Sequence, residues 1–370
     1  MALKPQIFIF VLFAFAGRLA AQIYSHTFDF YNQHSLHQIP TKGNKKGIEA
    51  FHYFKNNEWG EPTNPGYTLF GNQLKLANIN PRQHTQLGLL IDYPFGGSFD
   101  DIKLFPILQF NYNTPKNMWI FGSLESATKH HLLEPLYNYE SRITRPVEYG
   151  FQYLTERKHL SADIWLDWRQ MVKTSISQQE IISFGQNIEP YLFKRRDSNE
   201  LQISVPFSSL VYHRGGESLA QRKPVINQWN ASIGLRFSVQ KLGLIESHIL
   251  ISDDFSPNNM RIYNRGWASF SNIYLNSPQK SHALSLSHFF GQKYTAPFAP
   301  NLFVSEPFDN TLPGNRLNAG RRNLVMLRYQ YMKNLTSSEN QWLEFRLEPV
   351  YHINLSKFAW SAGLYLHYQL

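Results

Sequence analysis

The sequence contains no cysteine, so neither a disulfide framework nor a thiolate metal site can brace the fold, and stability must come from packing and a hydrogen-bonded backbone. Beyond the first two dozen residues no apolar run approaches the roughly 18 or more residues that a spanning helix requires, which excludes a helical membrane bundle. Gly-x-Ser-x-Gly, Walker and His-Glu-x-x-His patterns are all missing, and with them the usual local signatures of serine hydrolases, P-loop enzymes and zinc peptidases. Charge of one sign is nowhere concentrated. The 36 Lys and Arg against 27 Asp and Glu give a net +9, but they are scattered, whereas a nucleic-acid partner calls for a basic patch. No nucleic acid is therefore expected as a partner. The mean hydropathy of −0.38 resembles that of a water-soluble chain, yet strands that alternate apolar and polar residues hide one greasy face from any average.

What is present is aromatic. The 28 Phe, 20 Tyr and 8 Trp make up 15% of the chain, a share that suits strands and the aromatic girdles of membrane interfaces. The N-terminus has Lys4, an apolar run Ile7 to Ala16 and small residues up to Ala21. This order predicts a secretory signal peptide over residues 1–21, cut after Ala21. Loss of Lys4 and Arg18 with that leader leaves a net +7, a mildly basic protein that would sit well against anionic headgroups. Residues 22–45 are polar, His-rich and weakly patterned, and read as an N-terminal arm, periplasmic or plug-like.

From there to the C-terminus, strand-like segments recur. In 227–240 Trp229, Ala231, Ile233, Leu235, Phe237 and Val239 share one face, with polar residues and Gly234 between them. The last thirty residues behave alike: Leu343, Phe345 and Leu347, then Phe358, Trp360, Ala362, Leu364, Leu366 and Tyr368 alternate with Glu344, Arg346, Glu348, Ser361, Gly363 and His367. Period-2 patterning of this length predicts long antiparallel strands with one greasy and one wet face. A strand of about ten residues is what a tilted crossing of a hydrocarbon layer needs. The expected fold is all-β: an antiparallel transmembrane β-barrel over residues 46–370, with about 16 strands, range 14–18. Segments 264–275 and 281–290 fit least well, because their alternation breaks at Ser269, Ser271, His282 and His288. If Leu370 ends in the periplasm, the longest connections (127–145, 209–226 and 291–321) all fall outside and most short turns fall inside, which is the asymmetry of such barrels.

The closing strand, with Ser361, Gly363, Leu366 and Tyr368 in alternation, resembles the C-terminal assembly signal of Gram-negative outer-membrane β-barrels, although the chain ends on Leu370 where most end on Phe. The resemblance implies a bacterial outer-membrane location, with outer-membrane lipids and the assembly machinery as partners. The signal says nothing about cargo; the size of the barrel is what leads to the expected function, a channel or porin-like passage for small or oligomeric solutes, with a small-molecule or oligosaccharide solute as partner. The alternatives are a barrel-embedded hydrolase and a non-conducting surface component for binding or biogenesis. About sixteen strands leave room for an aqueous lumen, and the loop 291–321 either folds into that mouth or caps it.

Candidate lumen or binding residues come from the inward rows. Hairpin 146–170 places Glu148, Asp163 and Asp167 on one patch with Arg169 beside them; a four-residue turn sets Glu148 opposite Asp167, and a shorter one makes the acids diagonal neighbours. Like charges so close call for compensation by an arginine, a bound cation or a raised pKa. Arg236, Arg328, Glu344 and Arg346 extend mixed charge along the lumen, as a channel requires; an enzyme would confine acids or histidines to one rim. His130, His131 and Glu134 have metal-ligand residue types at a spacing that fits no motif, and His213-Arg214-Gly215-Gly216 reads as a turn. No cofactor, no metal and no catalytic residue is expected. At the closing strand, Leu366→Asp puts a carboxylate into lipid at a cost on the order of 1–2 kcal/mol. We expect it to lower the level of heat-modifiable, membrane-assembled protein severalfold, and Tyr368→Ala to do so more weakly; wild-type levels for both would refute the assignment.

Overall fold

The computed structural model describes residues 45–59, 66–80, 85–124, 130–172, 178–194, 201–215, 224–239, 242–257, 261–277, 281–306, 320–335 and 341–369. The leader over 1–21 and nearly all of the arm over 22–45 lie outside the described residues. The strands are β1 (Lys45–Glu58), β2 (Tyr67–Asn80), β3 (Thr85–Pro94), β4 (Lys103–Asn113), β5 (Asn117–Ser123), β6 (Tyr149–Glu156), β7 (Leu160–Gln170) and β8 (Glu180–Lys194). They continue with β9 (Leu201–Ser204), β10 (Phe207–Gly215), β11 (Ile226–Val239), β12 (Gly243–Asp254), β13 (Arg265–Asn276), β14 (His282–Gln292), β15 (Arg321–Asn334), β16 (Gln341–His352) and β17 (Lys357–Gln369).

Each strand pairs antiparallel with its neighbours, and β1 meets β17 from Glu49↔Gln369 to Glu58↔Trp360, so the sheet closes and leaves no edge. Closure is the condition for crossing lipid, where an unpaired backbone row has no water to turn to. β9 and β10 are two halves of one staple in the wall, since both lie between β8 and β11. Pro206 divides them because it cannot donate to the ladder; its carbonyl still accepts from Gly234 N–H at 3.0 Å. The wall therefore has sixteen strands.

Alternation sorts the side chains as a lipid-facing wall demands. Ile233, Leu235 and Phe237 of β11, Ile245, Ile249 and Ile251 of β12, and Phe345 and Leu347 of β16 are exposed on the outside. Ser232, Arg236, Ser238, Glu246, His248, Glu344 and Arg346, their neighbours in sequence, are buried inside. One rim carries the short turns 114–116, 157–159 and 240–242; the other carries 124–148, 255–264 and 293–320. The expected external loop 209–226 needs correction. Strand β10 runs to Gly215 and pairs with both β8 and β11, so His213 and Arg214 belong to the wall, and the connection is 216–225.

The described parts of the two longest connections turn into the barrel. Residues 130–148, with the one-turn helix α1 (Ser141–Thr144), meet residues 293–306 in the lumen: Tyr137 bridges Phe298, Asn138 N–H donates to Phe298 O at 2.6 Å, and Tyr294 Oη donates to Pro135 O at 2.9 Å. Around them Leu133, Leu136, Tyr294, Phe303 and Val304 pack on inward-facing Leu250, Phe270, Phe289, Leu324, Val350 and Ala359. Of the two fates open to the loop 291–321, its described part folds into the mouth; residues 307–319 lie outside the described residues. Val147, apolar and in phase with the lipid-facing row, instead packs inside on Leu90 and Ile107, because β6 begins only at Tyr149.

We place the long-connection rim outside the cell. Cysteine at Asp100 or Leu355, both exposed at that rim, should then react with an impermeant thiol reagent on intact cells, whereas cysteine at Leu242, exposed at the other rim, should be protected. Cysteine at Leu133 should also be protected, although it lies in an external connection. Labelling at 242 with protection at 100 and 355 would invert the barrel.

Candidate functional site

The β6/β7 hairpin is joined by a tight turn in which Arg157 N–H donates to Leu160 O at 2.8 Å. That turn fixes the register as Gly150↔Asp167, Gln152↔Trp165 and Leu154↔Asp163. Even numbers do face odd ones, as shared faces require, but the register is displaced by two from the one that sets Glu148 opposite Asp167, so the acids are diagonal neighbours. Opposite Trp165 on its other side is Gly185 of β8, where a Cβ would lie 2.1 Å from the indole. The glycine makes room for a large ring inside the wall.

That ring carries the imidazole of His130, stacked at 3.6 Å and 7°. His130 Nδ1 donates to Asp163 Oδ2 at 2.7 Å and Nε2 donates to Glu148 Oε2 at 2.8 Å. A ring whose two nitrogens both face carboxylates is an imidazolium. Burial alone would lower the pKa of His130, but the Asp163 and Glu148 charges outweigh it and hold the group up at about 10. Tyr137 Oη donates to the second Glu148 oxygen at 2.6 Å, and Arg169 reaches Tyr137 at 3.3 Å. Asp167 accepts from Arg145 Nη2 at 2.8 Å and from Tyr149 N–H at 3.1 Å. The expected acidic patch is therefore real as a cluster: Glu148, Asp163 and Asp167 face His130, Arg145 and Arg169. His130 and Arg145 of the inward-folded loop supply this compensation together with Arg169 of β7, and the cluster anchors that loop to the wall.

The other charged candidates gather lower and across the lumen. Arg346 Nη2 donates to Glu344 at 2.6 Å and lies 4.0 Å over Tyr139, while Arg142 of α1 lies 4.1 Å over Tyr365 and 3.5 Å from Glu344. Arg328 bridges Glu348 and Glu134, the latter at 2.5 Å, and Lys55 and Ser361 hold the other Glu348 oxygen. Glu140 takes Asn57 at 2.9 Å and Tyr67. Between these groups is a cavity of about 40 Å³, which has room for water and not for a solute. Arg236 stands apart near the opposite rim, between Glu189 at 2.8 Å and Glu246 at 3.0 Å, with His248 on the same carboxylate at 3.1 Å. Sequence reasoning missed His130 as the partner of the acids, and Lys55, Glu140 and Arg142 altogether. Leu132, Leu133 and Leu136, apolar residues in a nominally external loop, were the available signal that this loop packs against something.

Chemically, these clusters pair charged side chains with one another and hold the loop against the wall. Both His130 nitrogens are committed as donors, so it is no proton acceptor as it stands, and Glu134 is taken by Arg328. Among the described residues no His, Asp and Glu side chains group as a metal site.

In structure the chain is similar to the outer membrane protein OprD from Pseudomonas aeruginosa at TM-score 0.51 and 10% identity, covering 88% of this chain and 94% of that one. OccD3 (OpdP) of the same organism matches at 0.50, with 8% identity and 89% and 92% coverage. OmpTdeltaL8, a loop L8 deletion mutant of the Vibrio cholerae outer membrane protein OmpT, matches at 0.50, with 8% identity and 89% and 99% coverage. At such identities the likeness is one of fold: this is an outer-membrane β-barrel. No curated protein matches the chain. A family model described as lipid A 3'-O-deacylase-type spans residues 45–370, from the first residue of β1 through the end of β17. With the whole barrel matched, the chain belongs to the lipid A 3'-O-deacylase-type family.

Proposed function

We propose that the barrel is a porin-like passage for small solutes, narrowed by the two segments folded into it. The observation that carries this reading is the inner wall, which stays polar where the apolar loop core does not cover it. Asn272, Gln330 and Ser361 point inward between the ion pairs, where a wall built only to be packed would bury apolar groups; Asn187, Gln228 and Asn230 are inward too, but they hold the folded-in segments through His130 O and Thr295 O. Glu148, Asp163, Asp167, Arg169, Arg236, Arg328, Glu344 and Arg346 line this path with both signs of charge. The carboxylates near the His130 loop set its local field, because a low-dielectric passage responds to nearby charge more than to the net charge of the chain.

The family supports a second reading, hydrolysis of an acyl ester at the membrane. It needs a base and a nucleophile, and the His130 cluster supplies neither in its present form.

Purified protein in planar bilayers tests the passage. Glu148→Gln and Asp167→Asn should each shift reversal potential toward anions, with a less than additive double mutant; no shift in either, with conductance intact, would remove these residues from the path. The pH dependence has a definite sign. His130 is raised from 6.5 to about 10, so its anchoring is fully present below about 6.5 and is lost as pH rises through about 10. Conductance should therefore rise severalfold through that range, and His130→Gln should start high and lack the step. Breaking one side of a buried ion pair costs about 3–5 kcal/mol, enough to release the loop. A wild-type barrel that conducts no ions at either pH would overturn the passage reading.

A further inference from the structure

The breaks in alternation at Ser271 and His288 fall on the lipid-facing side of the wall. Polar groups there cost free energy unless they pair with one another. Successive registers set Ser247 of β12 directly opposite Ser271 of β13, and Ser271 directly opposite His288 of β14. Residues so paired have Cβ atoms about 4.5–5.5 Å apart. On β15, Asn323 faces Phe290, diagonal to His288. Ser247 and Ser271 hydroxyls are 2.9 Å apart, and His288 Nε2 is 2.8 Å from Asn323 Oδ1. An amide oxygen only accepts, so Nε2 carries the proton and Nδ1 the lone pair. The result is a hydroxyl with, on the next strand, a base whose tautomer a third group fixes; the Ser271 hydroxyl itself rests on Ser247, so these are the parts of an activated serine with its nucleophile turned away from the base.

We propose that Ser271, His288 and Asn323 form an acyl-ester-hydrolysing site on the outer face of the barrel, taking lipid laterally from the surrounding leaflet. The site is independent of the lumen and rests on the ester reading of the family only for its substrate chemistry. A rotation about χ1 carries the Ser271 hydroxyl from Ser247 to its other neighbour, His288. Ser271 Oγ then adds to the ester carbonyl carbon while its proton passes to Nδ1. The carbonyl–alkoxy bond breaks, the departing alkoxide takes that proton, and the acyl group stays on Ser271. Water adds next, giving its proton to Nδ1; the acyl–Oγ bond breaks, the proton returns to Oγ, and a fatty acid leaves. Ser247 Oγ, beside the nucleophile, is placed to donate to the transient oxyanion.

The surroundings specify a lipid. Ile249, Ile251, Trp267, Leu284 and Leu286 around the group are exposed, a surface for acyl chains. Arg321 is exposed at the end of β15 nearest Asn323, with its guanidinium 5.8 Å over the Phe290 ring, and offers a cation to a headgroup phosphate. The pairing is not generic to outward histidines: His52 on β1 also bonds an asparagine, Asn72, but the residue directly opposite on β17 is Leu366, and the ring edge-on to it is that of Tyr368, not a serine.

The test uses full-length protein reconstituted in two kinds of vesicle, one of diacyl phosphatidylethanolamine and one containing lipopolysaccharide, with fatty acid release as one readout. The other is adduct formation at Ser271 with a fluorophosphonate, located by mass spectrometry. We expect release from at least one vesicle type, and which one identifies the lipid. Ser271→Ala and His288→Ala should cut it by about 1,000-fold and Asn323→Ala by less, with His52→Ala and the conductance of Ser271→Ala unchanged. The wild-type adduct keeps the proposal falsifiable should a variant fail to assemble. Undiminished release in Ser271→Ala would move the chemistry elsewhere and leave the ester reading standing. No release from either vesicle and no adduct on Ser271 would overturn the site together with that reading.

Discussion

Everything in this molecule follows from the need to pair each backbone N–H and C=O without help from water. In hydrocarbon an unpaired group costs several kcal/mol, so the sheet has to close, and β1 has to find β17 across the whole length of the chain. Closure in turn divides every strand into an outer row in lipid and an inner row in a space that lipid cannot enter. A globular protein hides its apolar residues; here Ile249 and Phe345 are exposed while Glu344 and Arg346 are buried.

Buried charge is tolerable only when paired, and pairing in the lumen does a second job. Each ion pair that spans from wall to loop fixes a piece of loop: His130 to Asp163, Arg145 to Asp167, Arg142 to Glu344, and Glu134 to Arg328. Such pairs gain little net stability over apolar substitutes, yet losing one partner is expensive. They therefore set where the loop sits more than how stable the barrel is. The apolar packing of Phe303, Leu136 and Phe289 supplies the affinity that the charges direct.

The wall was legible because side-chain direction in a strand has a period of two, and that period survives without knowledge of any partner. Strand count and the sorting of long and short connections came from local pattern alone. What failed was everything decided by distant partners. Lys55 and Glu348 are far apart in sequence and meet only once the barrel closes; the β6/β7 register turned on the hydrogen bonding of one turn; and the end of β10 was hidden because Pro206 interrupts its strand. The acidic patch was visible as a crowding of like charge, but its compensating histidine was not, since nothing local marks a loop residue as inward. The two ill-fitting segments were informative in both directions. Their inner rows are greasy at Ala268, Phe270 and Phe289 because a loop packs there, and their outer rows are polar at Ser271 and His288.

A barrel strand can serve two unrelated purposes because adjacent residues never share a face. On β13, Asn272 points to the lumen and holds Ser285, Ser287 and Glu246, while Ser271 points to lipid. Neither side constrains the chemistry of the other beyond the shared backbone. A fold shared with OprD at 10% identity therefore settles the wall and leaves both faces open to separate specialisation, as expected where function resides in sites and not in architecture. A family defined over the whole barrel can keep its ester chemistry on one face while another face varies, and the place to look for that chemistry is wherever the alternation that lipid enforces has been given up.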